Sequence, residues 1–482
     1  MAVARNSAYS IASTALPLLI TIVTVPVFIS TVGAERYGVL AVCWMLLIYV
    51  GQADFGIARA ATQRIAALGR GRAEDQIATA WTALAASAFM GLVLAVVTYV
   101  LATLYFAGPL EVSEEVRTEL LASAVIMGGC TFVVTIFAAM YGCLAGRAMF
   151  GYSTLGSFVG NSASQLLPLA CALFWTIDLY YLLLATLLAR FLGTLPAAYG
   201  LWKEMLRGHR VKIARDALRE LVGFGKWVMA LSVTRPAMVM ADRALIGAQL
   251  GAIAVTAYAV PFQIASRLQM IPRAVLIVLF PKMAELGPEQ SRAAARGYLL
   301  LFATGFAPIL IGLSCMVEPL LNLWLGNELD ERSVLLARIL LLGFWFASLS
   351  GVMQNFTMAR GDSRYVAVLY VLEVVPYLAV LYVAMAQFGL PGAALAFSAR
   401  YAVEFIIIGF RENMIDWRFV GQIAASLGAL VASVALHEIL YGWIASLAAA
   451  TILGGIAAAN AFVLLPKDFW QRLFQNFRRS ER

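Results

Sequence analysis

Apolar runs long enough to cross a bilayer recur about fourteen times along this 482-residue chain. They fall near 9 to 30, 38 to 58, 77 to 106, 120 to 142, 152 to 176, 179 to 201, 223 to 246, 253 to 280, 297 to 321, 334 to 358, 365 to 387, 392 to 410, 419 to 440 and 443 to 465, and a spanning helix needs about 20 residues. The run from Val39 to Ala58 shows why these are not soluble helices: apolar residues cover its whole circumference and leave no face for water. With 62% hydrophobic and only 13% charged residues, the chain reads as an all-α polytopic membrane protein. Residues 1 to 30 form a full-length apolar segment and not a cleavable leader, so the first helix is expected to stay.

Loop charge sets the orientation. The outer loops hold only Arg36, Arg117 and Arg332, whereas the inner segments carry most of the remaining Lys and Arg, with six in 202–222 and five in the C-terminal tail. Both termini are therefore expected in the cytoplasm, and the net charge of +8 is a topology signal and not a nucleic-acid footprint. The five Cys lie in or at the ends of apolar runs without metal-ligand spacing, and His209 and His437 stand apart, so neither a metal site nor a cofactor is expected.

The longest inner loop divides the chain. Residues 1–201 form an N-lobe of six helices, 202–222 an amphipathic cytoplasmic linker, 223–413 a C-lobe of six more, and 414–482 two further helices with a basic tail. The lobes share a layout: Val32-Gly33-Ala34 falls 218 residues before Leu250-Gly251-Ala252, and Arg147 with Tyr152 falls 213 before Arg360 with Tyr365. Six helices preserve orientation, which makes this a parallel pseudo-repeat about an axis along the membrane normal.

Charges inside the apolar runs are the informative residues, since each at mid-membrane costs about 2.5 to 3.5 kcal/mol and needs a partner or a wet cavity. Arg190, Arg235, Arg267 and Arg400 fall near the centres of predicted helices, with Arg273 further toward the cytoplasm; the mid-depth carboxylates are Glu373 and Glu404. Arg400 and Glu404 are spaced to pair along one helix face, as Asp242 and Arg243 can locally. Four mid-depth Arg against two carboxylates leave an excess of fixed positive charge, for which a diphosphate is a natural partner because guanidinium forks match phosphate oxygens. Asp54, Glu373 and Glu404 are candidate coupling or gating carboxylates, with pairing to Arg as the structural alternative. Gly156, Gly160 and Ser164 mark a close-packing helix face; Asn161 and Gln165 beside them are candidate sugar contacts. Pro17, Pro26, Pro168, Pro236 and Pro376 each permit a bend.

The turn TVGAERYG (31–38), the helix after it and QADFGIARAATQRIA (52–66) resemble the first hairpin of Wzx-type polysaccharide and O-antigen flippases, of the superfamily that also holds multidrug (MATE) exporters. Gly33, Tyr37, Gly38, Asp54, Gly56 and Arg64 fill the pattern. The stretch 241–286, FGKW (224–227) and GLPGAAL (389–395) extend the resemblance over most of the chain. The resemblance implies a transporter and not an enzyme: an alternating-access flippase of the bacterial inner membrane that moves an undecaprenyl-diphosphate-linked oligosaccharide to the outer leaflet for O-antigen, lipopolysaccharide or exopolysaccharide synthesis. A cationic cavity would hold the diphosphate while the prenyl tail stays among membrane lipids, and polysaccharide polymerase and export machinery would be partners; nucleic acid would not. Arg190, Arg235, Arg267 and Arg400 are assigned to that cavity by depth. The alternatives are a MATE-like exporter of organic cations, which would want acidic residues or aromatic cages, and a membrane polymerase or glycosyltransferase, which would want a large outer loop or an acidic metal motif.

Overall fold

The computed structural model describes residues 2–52, 56–69, 72–223, 226–326, 330–436, 439 and 441–465. These form two compact units, Met1–Thr256 and Ala257–Arg482. The first holds α1 (Ala2–Gln52), α2 (Ile57–Leu68), α3 (Ala73–Ala107), α4 (Glu114–Gly146), α5 (Phe150–Phe174), α6 (Leu179–Leu201), α7 (Arg215–Gly223) and the start of α8 (Lys226–Leu268). The second holds the end of α8, then α9 (Met270–Glu285), α10 (Pro288–Leu300), α11 (Ala307–Leu325), α12 (Arg332–Ala359), α13 (Ser363–Phe388), α14 (Leu390–Arg411), α15 (Trp417–Ala435) and α16 (Gly442–Leu464).

Eleven stretches of the described residues are long and apolar enough to span a membrane. Two of them run through glycine breaks, at Gly33 inside α1 and Gly251 inside α8. Counting the arms on either side separately, and adding α5, gives the fourteen helices the sequence implies. The protein is thus an all-helical, multi-pass membrane protein.

The pseudo-repeat is visible in the backbone. Gly33 adopts φ 81°, ψ 160° and Gly251 φ 79°, ψ 170°, a region essentially reserved for glycine. At the second matched pair, Arg147 and Arg360 cap α4 and α12 with nearly equal angles (φ −94°, ψ 7° and φ −80°, ψ 4°). The residues after them, Ala148 and Gly361, turn to φ 60° and 88°. The Met149 N–H then reaches back to the Leu144 carbonyl at 2.9 Å and the Asp362 N–H to that of Thr357 at 3.2 Å, closing both helices alike.

Two elements differ from the sequence expectation. The linker over 202–222 is not one amphipathic helix: α6 ends in a π turn at Trp202–Leu206, Gly208 takes φ 84°, and helix resumes only at Arg215. The left-handed glycine stops the helix. The eighth expected helix is also divided, α8 ending at Leu268 and α9 starting at Met270. Pro272 fits the first turn of α9, where its missing N–H costs nothing. The Gln269 amide holds the break by donating to the Phe344 carbonyl at 2.7 Å and the Ser348 hydroxyl at 3.1 Å.

Candidate functional site

In the first unit, α5 and α6 meet through glycines. A methyl on Gly193 would lie 2.6 Å from the Gly160 Cα, and one on Gly156 would lie 2.6 Å from the Gly193 carbonyl oxygen. The small-residue face of α5 therefore serves close backbone approach. That approach leaves a cavity of about 70 Å³ beside it, lined by Val133, Phe137, Ser157, Asn161 and Arg190 among others. At about 30 Å³ per water, it is the size of two waters or of one phosphate-sized group. Arg190, half-buried on α6, lines it; its Nε is buried without a hydrogen-bond partner, and no described carboxylate lies within ion-pair distance. The structure thus brings Arg190 and Asn161 together. Asn161 is exposed; Gln165 is half-buried one turn further along α5.

The second unit treats its buried charges differently. Arg400 of α14 is buried, with its guanidinium over the rings of Tyr377 at 5.2 Å and Tyr401 at 5.0 Å. Its Nε lies 3.5 Å from Oε2 of Glu373 on α13. Glu404, four residues along α14 and wholly buried, accepts a hydrogen bond from the Gln354 amide of α12. The ion pair at 3.5 Å therefore crosses between α13 and α14, while Glu404 lies within electrostatic range of Arg400 along α14. Gln354 also donates to the Ser350 hydroxyl at 2.9 Å.

The other sequence-predicted residues lie apart from these two groups. Arg267 is exposed in the last turn of α8, where a cation suits the helix dipole; it stands at a helix end and not at the mid-helix position expected. Arg273 is exposed on α9. Asp54 and the side chain of Arg235 lie outside the described residues. Asp242 and Arg243 are both buried and pair locally at 3.5 Å.

Sequence reasoning missed a third buried group. Arg338 of α12 is fully buried and donates from Nε to the Ser314 carbonyl at 3.1 Å; the Ser314 hydroxyl meets that of Ser433 at 2.8 Å. Nearby Glu318 accepts from Asn322 at 2.5 Å and from the Gly442 N–H at 2.8 Å. These contacts tie α15 and α16 to α11 and α12. The available signal was an Arg inside an apolar run.

A family model described as "Polysaccharide biosynthesis protein" matches residues 3–287, more than half of the chain. The chain belongs to that family. A Shigella flexneri relative named "Putative O-antigen transporter" is 25% identical to this family member over 415 residues, covering 85% of this chain and 97% of the relative. Among solved structures, the lipid II flippase MurJ in an inward closed conformation superposes with a TM-score of 0.73 at 14% identity, covering 97% of this chain and 99% of MurJ. An inward-facing multidrug resistance MATE transporter gives a TM-score of 0.67 at 14% identity, covering 86% and 98%. At such identity the two structures establish a shared fold, and the fold is common to lipid flippases and drug exporters alike.

Proposed function

We propose that this polysaccharide biosynthesis family member is a flippase that carries a polyprenyl-diphosphate-linked oligosaccharide across the bacterial inner membrane, with both termini in the cytoplasm and access alternating between the two leaflets. The relative named for O-antigen transport supports the substrate class. Since the fold is shared with drug exporters, the charge of the site has to decide between them. The observation that carries the reading is Arg190: a guanidinium within a spanning helix, beside Asn161 and Ser157, with an unspent donor and no carboxylate in reach. Such a group attracts an anion, and its planar fork suits a phosphate. An organic cation would instead want free aromatic faces or unpaired carboxylates, and the Tyr377 and Tyr401 rings are already covered by Arg400.

The test uses purified protein in proteoliposomes loaded with a fluorescent undecaprenyl diphosphate oligosaccharide, following the fraction reached by an external quencher. Protein-dependent movement is expected, and Arg190→Ala should slow it about tenfold or more, the worth of one charge-assisted hydrogen bond. No movement above protein-free vesicles, with export of a cationic dye instead, overturns the reading. By the same assay Arg267→Ala tests whether that exposed guanidinium contributes; an unchanged rate removes it from the site.

A further inference from the structure

In the second unit the ends of three spanning helices meet at one polar cavity. α12 stops at Ala359, α13 starts at Ser363 and α14 stops at Arg411. Around those ends lies a cavity of about 430 Å³ lined by Arg292, Thr357, Arg360, Asp362, Arg411 and Glu412, within the size range of ligand sites, about 300 to 1,000 Å³. A spanning helix ends near the headgroups. Tyr365 in the first turn of α13 and Trp417 at the start of α15, 90% exposed, are residue types that settle at that level.

Three guanidinium groups share this cavity with two carboxylates, and the carboxylates are already spent. Asp362 accepts from Arg411 at 2.5 Å on Oδ2 and from the Tyr365 N–H at 3.2 Å on Oδ1. Glu412 accepts from Arg360 at 3.0 Å on Oε2 and from the Thr357 hydroxyl at 3.3 Å on Oε1, which also lies 3.7 Å from Arg411. Every carboxylate oxygen thus has a partner, while a guanidinium carries more N–H donors than one such bond uses. The guanidinium of Arg292, exposed on α10, makes no hydrogen bond or ion pair among the described residues. Charges next to the cavity do not supply the missing acceptor. Glu289, in the first turn of α10, neither lines the cavity nor pairs with Arg292, Asp416 is paired with Arg296, and Arg364 at the start of α13 is another cation.

The matching corner of the first unit is satisfied by the protein itself. There Arg147, the counterpart of Arg360, donates from Nε to the Gln76 side chain at 2.8 Å and from Nη1 to the Glu204 carbonyl at 2.7 Å, and the Glu204 carboxylate accepts from the Tyr152 hydroxyl at 3.1 Å. In the second unit Arg292 and Arg411 join the counterpart, and protein oxygens do not absorb them all.

We propose that this cavity binds the phosphate of an anionic membrane lipid, held by Arg292 with Arg360 and Arg411 beside it. A phosphate brings the acceptor oxygens that the two carboxylates no longer offer, and guanidinium forks match it. Its depth at the helix ends lets the acyl chains stay in the bilayer, where Phe410 of α14 is exposed. The site uses none of the residues of the Arg190 cavity and does not depend on the flippase reading.

The test titrates full-length protein in a neutral detergent with phosphatidylglycerol or phosphatidylcholine and counts bound lipid by native mass spectrometry. One phosphatidylglycerol should bind ahead of any further lipid and ahead of phosphatidylcholine. Arg292→Ala, at an exposed position with no partner to strand, should weaken that first binding about tenfold, the worth of one charge-assisted hydrogen bond, and Arg292→Lys should weaken it less. Arg219→Ala removes an equally exposed charge from α7, and Arg190→Ala removes the guanidinium of the first unit's cavity; both should leave the binding unchanged. Equal binding by wild type and Arg292→Ala overturns the proposal. So does an equal loss in Arg219→Ala, which would mean attraction by net charge, or a loss confined to Arg190→Ala, which would seat the lipid in the Arg190 cavity. Inorganic phosphate identifies the source: at concentrations equal to the lipid it should displace little, and displacement mole for mole would assign the cavity to a free anion and overturn the lipid assignment.

Discussion

Replacing Gly38 with Ala tests how closely the chain packs at the two matched glycine turns. Gly38 follows the Gly33 break, and its Cα faces the first turn after the Gly251 break. A methyl there would lie 2.0 Å from the Ala252 carbonyl oxygen, 2.6 Å from the Thr256 hydroxyl and 2.9 Å from the Ala252 carbonyl carbon. Ordinary contact begins near 3.4 Å, so the segments must part by about 1.4 Å, and the obstacle is backbone that cannot swing aside. The Thr256 hydroxyl now donates to the Ala34 carbonyl at 2.6 Å; that separation stretches the bond beyond hydrogen-bonding range. Overpacking at about 1 to 3 kcal/mol and a hydrogen bond at about 1 kcal/mol give a loss of about 2 to 4 kcal/mol. Two controls separate space from conformation. Gly33→Ala meets nothing within 4 Å but must hold φ 81°, at about 1 to 3 kcal/mol. Gly421→Ala, in the exposed interior of α15 with nothing within 4 Å, should gain slightly from better helix propensity. Thermal stability in detergent, read by size-exclusion chromatography after heating, should rank Gly38→Ala lowest and Gly421→Ala at or above wild type. A Gly38→Ala protein as stable as wild type would refute the claim that these segments touch through bare backbone.

Gln76 is buried and ties α3 to its surroundings, donating to the Ile65 and Gly69 carbonyls at 3.0 and 2.9 Å and accepting from the Arg147 Nε at 2.8 Å. Gln76→Leu strands those partners and should cost about 2 to 4 kcal/mol, seen as a lower melting temperature, whereas an unchanged one would show the network to be incidental. Arg190→Lys keeps the charge and loses the fork, so its flipping rate should fall between wild type and Arg190→Ala; a rate equal to that of Arg190→Ala would mean that geometry and not charge carries the contact. The hydrogen bond from Arg411, at 2.5 Å, holds the Asp362 carboxyl below the usual carboxylate range. A depressed folded value means stability that is complete above the unfolded value near 3.9 and lost as pH falls through the folded one. The groups are largely exposed, so the contribution is at most about 1 kcal/mol. Asp362→Asn should flatten the acid limb of melting temperature against pH, and an unaltered limb would assign it to other carboxylates.

What the sequence reveals of this fold is what is written locally. Helix count follows from apolar runs, and the equivalence of Gly33 with Gly251 and of Arg147 with Arg360 from spacing, because each fixes the backbone of a few neighbouring residues. The linker departs because Gly208 can turn left-handed, and glycine alone does not announce that it will. The pairing of the charges is only partly local. Arg400 and Glu404 interact along α14 as their spacing allows, but Arg400 also meets Glu373 across on α13 and Glu404 meets Gln354 on α12. Helix neighbours offer only the i+3 and i+4 options; which face of one helix meets which face of another is settled by packing over the whole unit.

That difference in pairing also explains how one scaffold can be assigned two kinds of ligand. The fold is shared with MurJ and with a MATE transporter, so the helices cannot choose the cargo. Buried charge can. In the first unit Arg190 has small polar neighbours and no described carboxylate in ion-pair range, an arrangement completed by an anion that arrives from outside. In the second, Arg400 has Glu373 across on α13 and Glu404 along α14, an arrangement that already holds its counter-charge. Reversing the charge of the first by Arg190→Glu should abolish transport while leaving the glycine-built helix contacts intact. A charge-reversed protein that still flips the diphosphate-linked substrate would show that the cargo is chosen elsewhere.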